Sequence, residues 1–297
     1  MNSSKNGFSG NGHRSKALIF ERPPGRVVSL VPSITESLFD LGFGSAVVGI
    51  TDYCVHPAGR LEGLHRIGGP KTPRIEDILA LKPELVAANM EENPITVVEA
   101  LEEAGIKVWV TFPQTVRQSL DMLWLLVGLF QSRPAAIRLE TLELTVEWAE
   151  SALEDRKPWR YFCPIWQDEA GWMTINRLTY VNDVLRLMGG ENVFAERNYH
   201  NPPALKDIPG GLAKDAEPPI RYPRVTLADL SDTAPDVIIL PSEPYAFGKA
   251  EQQRLNELLP EIPAIRRGRI HCIDGSLITW HGTRLARTLR ELPILFG

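Results

Sequence analysis

Short apolar runs alternate with helix-like faces along the first third of the chain. Four such runs predict buried strands, at residues 26–31, 46–50, 84–88 and 107–112. Between them, apolar residues three or four positions apart predict helices, as at residues 75–81 and 95–104. Strands that alternate with helices favour a mostly parallel sheet with both faces covered.

The start of the first predicted helix carries a typical polar signal. Pro32 ends the first strand, and Ser33 and Glu36 follow it three positions apart. This spacing predicts a capping box, in which the Ser33 hydroxyl accepts from the Glu36 amide and the Glu36 carboxylate reaches back. Gly42 then supplies the stop.

The middle of the chain predicts two long helices, at residues 116–130 and 135–153. Ser132 and Pro134 fit the cap and the first turn of the second helix. A helix of about 20 residues is about 30 Å long, roughly the width of a small domain. We therefore expect this helix to connect two separate α/β units.

Strand and helix patterns resume after this helix. Strands are predicted at residues 160–166, 237–240 and 269–273, and helices at 180–188, 251–259 and 283–292. The segment EDILALKPELV at 76–86 has a counterpart, ADLSDTAPDVI, 152 residues later. The constant offset favours two related lobes.

Composition excludes several classes of protein. The 297 residues carry a net charge of −5, which gives no general nucleic-acid footprint. No run of about 18 apolar residues predicts a membrane span. Residues 1–16 lack the apolar region of a signal peptide, so the sequence as written predicts a cytoplasmic protein. A different start would make it periplasmic or exposed at the cell surface.

Local motifs in both halves resemble one family of binding proteins. They include RVVSLVPSITE at 26–36, VGITDYC at 48–54, ALKPELV at 80–86, YPRVTL at 222–227 and WHGTRL at 280–285. Their order is similar to that in ABC-importer substrate-binding proteins for vitamin B12, haem and ferric siderophores, with the cobalamin-binding-like branch nearest. The resemblance implies an α/β fold with two Rossmann-like lobes joined by a long backbone helix, as in class III periplasmic binding proteins.

The expected domain boundaries follow from this resemblance and from the helix pattern. Residues 1–25 are expected to form a disordered tail, residues 26–131 the first lobe and residues 157–297 the second. The linking helix lies at residues 132–156. The ligand would then bind between the lobes, near the carboxyl ends of the strands.

Aromatic and basic residues near the predicted strand ends are the candidate ligand contacts. The resemblance places Tyr53 against one face of a corrin ring and a basic contact at Arg284. Trp166 could cover the other face, Trp280 fits the rim, and Trp172 is a further candidate. A flat metal chelate needs such aromatic faces and a few polar contacts at its edge.

Acidic residues make the mouth of the predicted ligand-binding cleft more negatively charged and less aromatic than expected. Pro70 and Asn89 stand where the best-known cobalamin binder has tryptophans, and Glu91 and Glu92 lie close to the same mouth. An acidic wall with fewer aromatic residues would suit a smaller or cationic ligand, such as a different corrinoid or an iron chelate.

The sequence therefore predicts reversible binding of a cobalamin-like corrinoid or another metal chelate, without catalysis and without a catalytic cofactor. A direct metal-ion receptor is the first alternative, although no two histidines stand four residues apart; only His281 is a candidate axial ligand. An enzyme that processes corrinoids or metal clusters is the second alternative. Three scattered cysteines argue against a cluster.

A transporter is the expected macromolecular partner of the resembled family. Those proteins present one acidic residue from each lobe to arginines of an ABC permease. Glu76 matches the first position, whereas the internal repeat places Ala228 at the second, with Asp229 beside it. We expect a monomer that contacts this partner through Glu76 and Asp229.

Overall fold

A five-stranded sheet forms the first half of the molecule. The structure is a computed structural model that describes residues 18–153, 157–197 and 220–293. The strand order is β3-β2-β1-β4-β5, and every neighbouring pair is parallel. Its strands are β1 (Val27–Ser29), β2 (Val47–Ile50), β3 (His65–Arg66), β4 (Leu85–Asn89) and β5 (Lys107–Thr111).

Helices connect these strands and then lead out of the sheet. They are α1 (Pro32–Asp40), α2 (Ile75–Ala80), α3 (Ile95–Glu103), α4 (Val116–Phe130) and α5 (Arg133–Ser151), with a short 3₁₀ turn at Gly44–Ala46. The alternating strand and helix pattern of the sequence is therefore confirmed, and α4 has the predicted bounds.

The predicted capping box at the start of α1 is wrong. The helix begins at Pro32, one residue before the expected cap, and its N-cap is Val31, which has no side-chain capping bond. Proline at the first helical position has the right φ and needs no hydrogen-bond acceptor for its nitrogen. Ser33 and Glu36 therefore lie inside the helix and bind residues of the other half instead.

Helix α5 is continuous over 19 residues. The Ser132 side chain accepts a hydrogen bond from the Ala135 amide at 3.3 Å, so the predicted cap is confirmed. Helix α4 packs along it, and the Trp124 indole N–H donates to the Glu143 carboxylate at 3.2 Å. The helix ends at Ser151, short of the predicted end at residue 153, and the last part of the predicted linker, residues 154–156, lies outside the described residues.

Two further sheets form the second half. A parallel sheet has the order β12-β11-β6-β9, and an antiparallel sheet has the order β10-β8-β7. The strands are β6 (Trp159–Phe162), β7 (Pro164–Asp168), β8 (Gly171–Thr174), β9 (Gly190–Asn192), β10 (Arg224–Val225), β11 (Val237–Pro241) and β12 (Ile270–Ile273). The helices are α6 (Tyr180–Leu187), α7 (Leu227–Thr233), α8 (Lys249–Leu258), α9 (Pro263–Arg266), α10 (Ser276–Thr279) and α11 (Leu285–Glu291).

One predicted strand divides into two. The apolar run at 160–166 contributes β6 to the parallel sheet and β7 to the antiparallel sheet. Pro164 lies at the division, where it cannot donate a ladder hydrogen bond. The division moves Trp166 out of the parallel sheet into a β-hairpin with β8.

The internal repeat has a structural counterpart. Helix α2 begins at Ile75 and β4 at Leu85, and the equivalent α7 and β11 begin 152 residues later, at Leu227 and Val237. Both strands lie inside their parallel sheets, with a neighbour on each side. The same local sequence pattern thus builds the same helix–strand unit twice.

A continuous apolar core joins the two halves. The larger buried cluster extends from β1 and β4 through α4 and α5 to residues of the second half such as Val184 and Ile278. A smaller cluster around Phe162 lies within the second half. Within the described part of the chain, no helix has both the length and the apolar character needed to cross a bilayer.

Candidate functional site

Loops at the carboxyl ends of the first sheet meet a loop of the second half. His281 is the centre of this contact and is 7 % exposed. Its Nδ1 lies 3.3 Å from the Ser33 hydroxyl, and its Nε2 lies 3.2 Å from the Asn89 side-chain nitrogen. The Asn89 side-chain oxygen Oδ1 accepts from the Glu91 backbone amide at 2.8 Å. The Asn89 side-chain nitrogen Nδ2 is therefore the donor to His281 Nε2.

These contacts fix the protonation of His281. A ring that accepts at Nε2 is neutral and carries its proton on Nδ1, which donates to Ser33. Burial lowers the pKa of His281 to about 4, consistent with this neutral form. Because both ring nitrogens are engaged by the protein, His281 is not free to act as the axial metal ligand considered from the sequence.

The next residues extend this contact along α1 and α4. The Gly282 amide donates to the Ser119 hydroxyl at 2.7 Å, and the Thr283 amide donates to the Ser37 hydroxyl at 3.1 Å. The Thr283 hydroxyl donates to Asp40 at 2.8 Å. We call residues 281–284, with their partners on α1 and α4 and at Asn89, the polar seam.

Arg284 completes the polar seam. Its side chain is 2 % exposed, and its Nε donates to the Glu36 carboxylate at 2.7 Å. Its Nη1 donates to the Ser276 hydroxyl at 3.2 Å, whereas its Nη2 makes no hydrogen bond within the described ranges. Burial raises the pKa of Glu36 despite this pairing. The guanidinium predicted to contact a ligand is thus held by the protein itself.

Trp280 covers the Arg284 guanidinium and reaches the first half. The guanidinium carbon lies 4.7 Å from the centre of the indole ring. The ring is partly exposed and meets the His56 imidazole edge-on at 5.7 Å. His56 belongs to the loop after β2, and Tyr53, in the same loop, is 65 % exposed. The structure therefore brings Trp280 to the loop that carries Tyr53.

The β7–β8 hairpin presents a second aromatic surface. Trp166 is 47 % exposed and meets the Tyr245 ring edge-on at 5.4 Å. The neighbouring Gln167 side chain donates to the Tyr245 hydroxyl at 2.9 Å. Sequence reasoning missed Tyr245, although it follows β11 as Tyr53 follows β2.

Trp172 does not belong to this surface. It is 6 % exposed and packs edge-on against Phe162, with ring centres 6.1 Å apart. The hairpin register explains the difference, since Trp172 pairs with Gln167 and its side chain lies in the smaller apolar core. We therefore remove Trp172 from the candidate ligand contacts.

Carboxyl groups from both halves approach each other beside the seam. Burial raises the pKa of Glu92 to about 7, with further contributions from the charges of Glu243 and Glu91 and an opposing one from Lys71. Glu243 follows β11 and accepts a hydrogen bond from the Thr279 hydroxyl at 2.6 Å. The sequence repeat contained the signal for Glu243, because the 152-residue offset maps Glu91 onto it.

The two predicted docking acids differ in the structure. Glu76 is exposed in the first turn of α2. Asp229 instead forms a capping box with Thr226 at the start of α7, and its carboxylate pairs with Arg197 at 2.6 Å. The cap and the ion pair both use the Asp229 carboxylate, so only Glu76 presents a free acid.

The arrangement suits binding of a flat, partly apolar molecule. Exposed aromatic faces occur on both halves, as do the carboxyl groups of Glu92 and Glu243. Within the described ranges, no cluster of three histidine, cysteine or acidic side chains could hold a metal ion. The polar seam joins the two halves on one side of these groups.

Known proteins share this sequence pattern and fold. The profile of the periplasmic binding protein family matches residues 27–277. A vitamin B12-binding protein of Vibrio cholerae is 27 % identical over 234 residues, 76 % of this chain and 74 % of that protein. The Bacillus subtilis ABC transporter substrate-binding lipoprotein YvrC is 24 % identical, over 92 % of this chain and 80 % of that protein.

Solved structures agree with the fold. The periplasmic vitamin B12-binding protein BtuF of Vibrio cholerae superposes with a TM-score of 0.72 at 20 % identity, covering 92 % of this chain and 96 % of that one. The periplasmic haem-binding protein RhuT of Roseiflexus sp. RS-1 has a TM-score of 0.72 at 22 % identity, covering 91 % and 97 %. Both share the two-lobed α/β fold expected from the sequence.

Proposed function

The chain belongs to the periplasmic binding protein family, and on this premise we propose that it reversibly binds a metal chelate, a cobalamin-like corrinoid or a haem. The ligand lies in the cleft, by which we mean the space between the loops after β2 and β4 and the loops after β11 and β12. Proteins of this family bind substrates rather than convert them, so the expectation of a non-enzymatic protein holds.

One observation supports this proposal most strongly. Trp280 of the second half contacts His56 of the first half, in the loop where Tyr53 exposes most of its ring. Aromatic faces from both sides of a cleft are what a flat macrocycle needs for burial. We propose Tyr53, Trp166, Tyr245 and Trp280 as ring contacts, with Glu92 at the polar edge.

The ligand class is taken from the relatives and remains part of the proposal. The names of the relatives give vitamin B12 and haem. A ferric siderophore is the remaining chelate in this group. We also propose the lobe boundaries expected from the sequence, residues 26–131 and 157–297, with α5 as the helix of the connecting segment.

We propose that the protein works outside the cytoplasm and delivers its ligand to an ABC permease. The names of its relatives describe periplasmic proteins and a lipoprotein. They support the periplasmic or cell-surface alternative and do not support the cytoplasmic location expected from the sequence as written. Glu76 is the acid that we expect to contact the permease, whereas Asp229 is held by Arg197.

Tryptophan fluorescence tests the proposal. Cyanocobalamin, hemin and ferrichrome are titrated separately, and one of them should quench the emission and raise the melting temperature, because a ligand that prefers the native state stabilises it. Trp280→Ala should weaken binding about tenfold, or about 1.4 kcal/mol. Trp148→Phe is the matched control, because Trp148 is 83 % exposed on α5. If none of the three compounds changes either signal, the proposed function is wrong.

A further inference from the structure

A second contact joins the two halves at the Glu91 side chain. The Tyr222 hydroxyl donates to Glu91 Oε1 at 2.8 Å, and Arg221 Nη2 lies 3.6 Å from the same oxygen. The Arg221 guanidinium also stacks on the Phe112 ring of the first half, 4.3 Å from its centre. These three contacts use side chains that the polar seam does not use, although the Glu91 amide adjoins the seam through the Asn89 side chain.

On both sides of this contact, hydrogen bonds to the backbone hold the chain in place. On the first half, the Glu91 amide donates to Asn89 and the Glu91 carbonyl accepts from Lys71. On the second half, the Arg221 carbonyl accepts from the Asn176 amide at 3.0 Å. The contact therefore links two supported segments rather than two loose side chains.

This geometry changes the role expected for Glu91. The sequence predicts a ligand contact, whereas in the structure the carboxylate already accepts from Tyr222 and pairs with Arg221. Both contacts involve Oε1, so Tyr222 and Arg221 set the orientation in which Glu91 presents its other carboxylate oxygen. Burial raises the pKa of Tyr222, and the Glu91 charge adds to the effect, so the phenol remains a donor.

We propose that Glu91 is a positioning residue that holds the two halves together through Tyr222 and Arg221. We call these three residues the Glu91 clasp. The clasp sets the separation of the two halves beside the loops that follow β4 and β5. Loss of Glu91 removes both the charge-assisted hydrogen bond from Tyr222 and the pairing with Arg221, so it should matter more than the loss of the Tyr222 hydroxyl alone.

Distances between spin labels on the ligand-free protein test the clasp. Labels at Glu99→Cys on α3 and Glu169→Cys in the β7–β8 turn report on the two halves; both positions are exposed. The background carries Cys272→Ser, because Cys272 is exposed whereas Cys54 and Cys163 are buried. Glu91→Ala should increase the mean distance between the labels, or the width of its distribution, by about 2 Å or more, the scale of a real rearrangement.

Two further variants make the result decisive. Tyr222→Phe should give a smaller change in the same direction, and Glu103→Gln, an exposed acid at the end of α3, should give none. Melting temperatures show whether each variant is folded. If Glu91→Ala and Tyr222→Phe both match Glu103→Gln, the clasp does not hold the halves. Because no ligand is present, this failure is distinct from a failure of the proposed function.

Discussion

Substitution of Gly282 by alanine tests how closely the two halves meet at the polar seam. Gly282 has a φ of +98°, and an added Cβ would lie 2.3 Å from the Ser37 hydroxyl oxygen. The Ser37 hydroxyl donates to the Ser33 carbonyl at 2.8 Å and accepts from the Thr283 amide at 3.1 Å. Alanine must therefore adopt a strained backbone and also displace Ser37.

The cost can be worked from these two effects. A left-handed backbone costs an L-residue about 1.5 kcal/mol. Displacing Ser37 loses two hydrogen bonds at about 1 kcal/mol each. Gly282→Ala should therefore lower the free energy of unfolding by about 3.5 kcal/mol, measured by urea denaturation followed by fluorescence. Gly105→Ala is the matched control, because Gly105 has a φ of +81° and open space around its Cβ position.

A double-mutant cycle separates the clash from the strain. In a Ser37→Ala background the hydroxyl is gone, so Gly282→Ala should cost only the backbone strain of about 1.5 kcal/mol. The coupling between the two positions should then be about 2 kcal/mol. Equal costs for Gly282→Ala and Gly105→Ala, within about 0.5 kcal/mol, would refute the close approach of residue 282 to α1.

Four other predictions concern charge and shape. Because burial lowers the pKa of His281 to about 4, the unfolded chain takes up a proton below pH 6.5 that the folded protein does not, so the contribution of His281 to stability should fall from pH 6.5 to 4, by at most about 3.4 kcal/mol. His281→Gln should remove this pH dependence, as measured by urea denaturation. Glu92 has the opposite sign: its raised pKa, about 7, means that its contribution is present at acid pH and is lost as the pH rises from 4.5 to 7. The difference in stability between the wild type and Glu92→Gln should therefore change over that range; a difference that does not vary with pH would contradict the assignment. Arg284→Met leaves the Glu36 carboxylate buried without its partner and should cost about 3–5 kcal/mol, whereas adding Glu36→Leu should restore much of this loss. A ligand should change the radius of gyration, about 19 Å for this length, by less than about 1 Å in small-angle scattering, because bending α5 would break its backbone hydrogen bonds. A larger decrease would mean that the halves close on a flexible connection.

Local sequence signals predicted the elements well where they act within one segment. The bounds of α4 and the Ser132 cap of α5 follow from apolar spacing and from a capping side chain that binds its own helix. The repeat predicted that β11 would correspond to β4, because the same pattern of apolar residues gives a fully buried strand in each half.

The polar contacts between the halves could not be predicted in the same way. Ser33 and Glu36 have the spacing of a capping box, yet their partners are His281 and Arg284, almost 250 residues away in the chain. A polar side chain takes the partner that the fold brings to it, and local spacing does not contain that information. Trp172 shows the same limit, since only the hairpin register decides that its ring is buried.

Isothermal titration of the wild-type protein tests the central claim most directly. Cyanocobalamin, hemin and ferrichrome are titrated in turn into the purified protein. We expect at least one of them to bind with a stoichiometry of one per chain, and we expect Trp280→Ala to weaken this binding while Trp148→Phe leaves it unchanged. Absence of heat and of saturable binding for all three compounds, up to concentrations of about 100 μM or −5.5 kcal/mol, would contradict the proposed function.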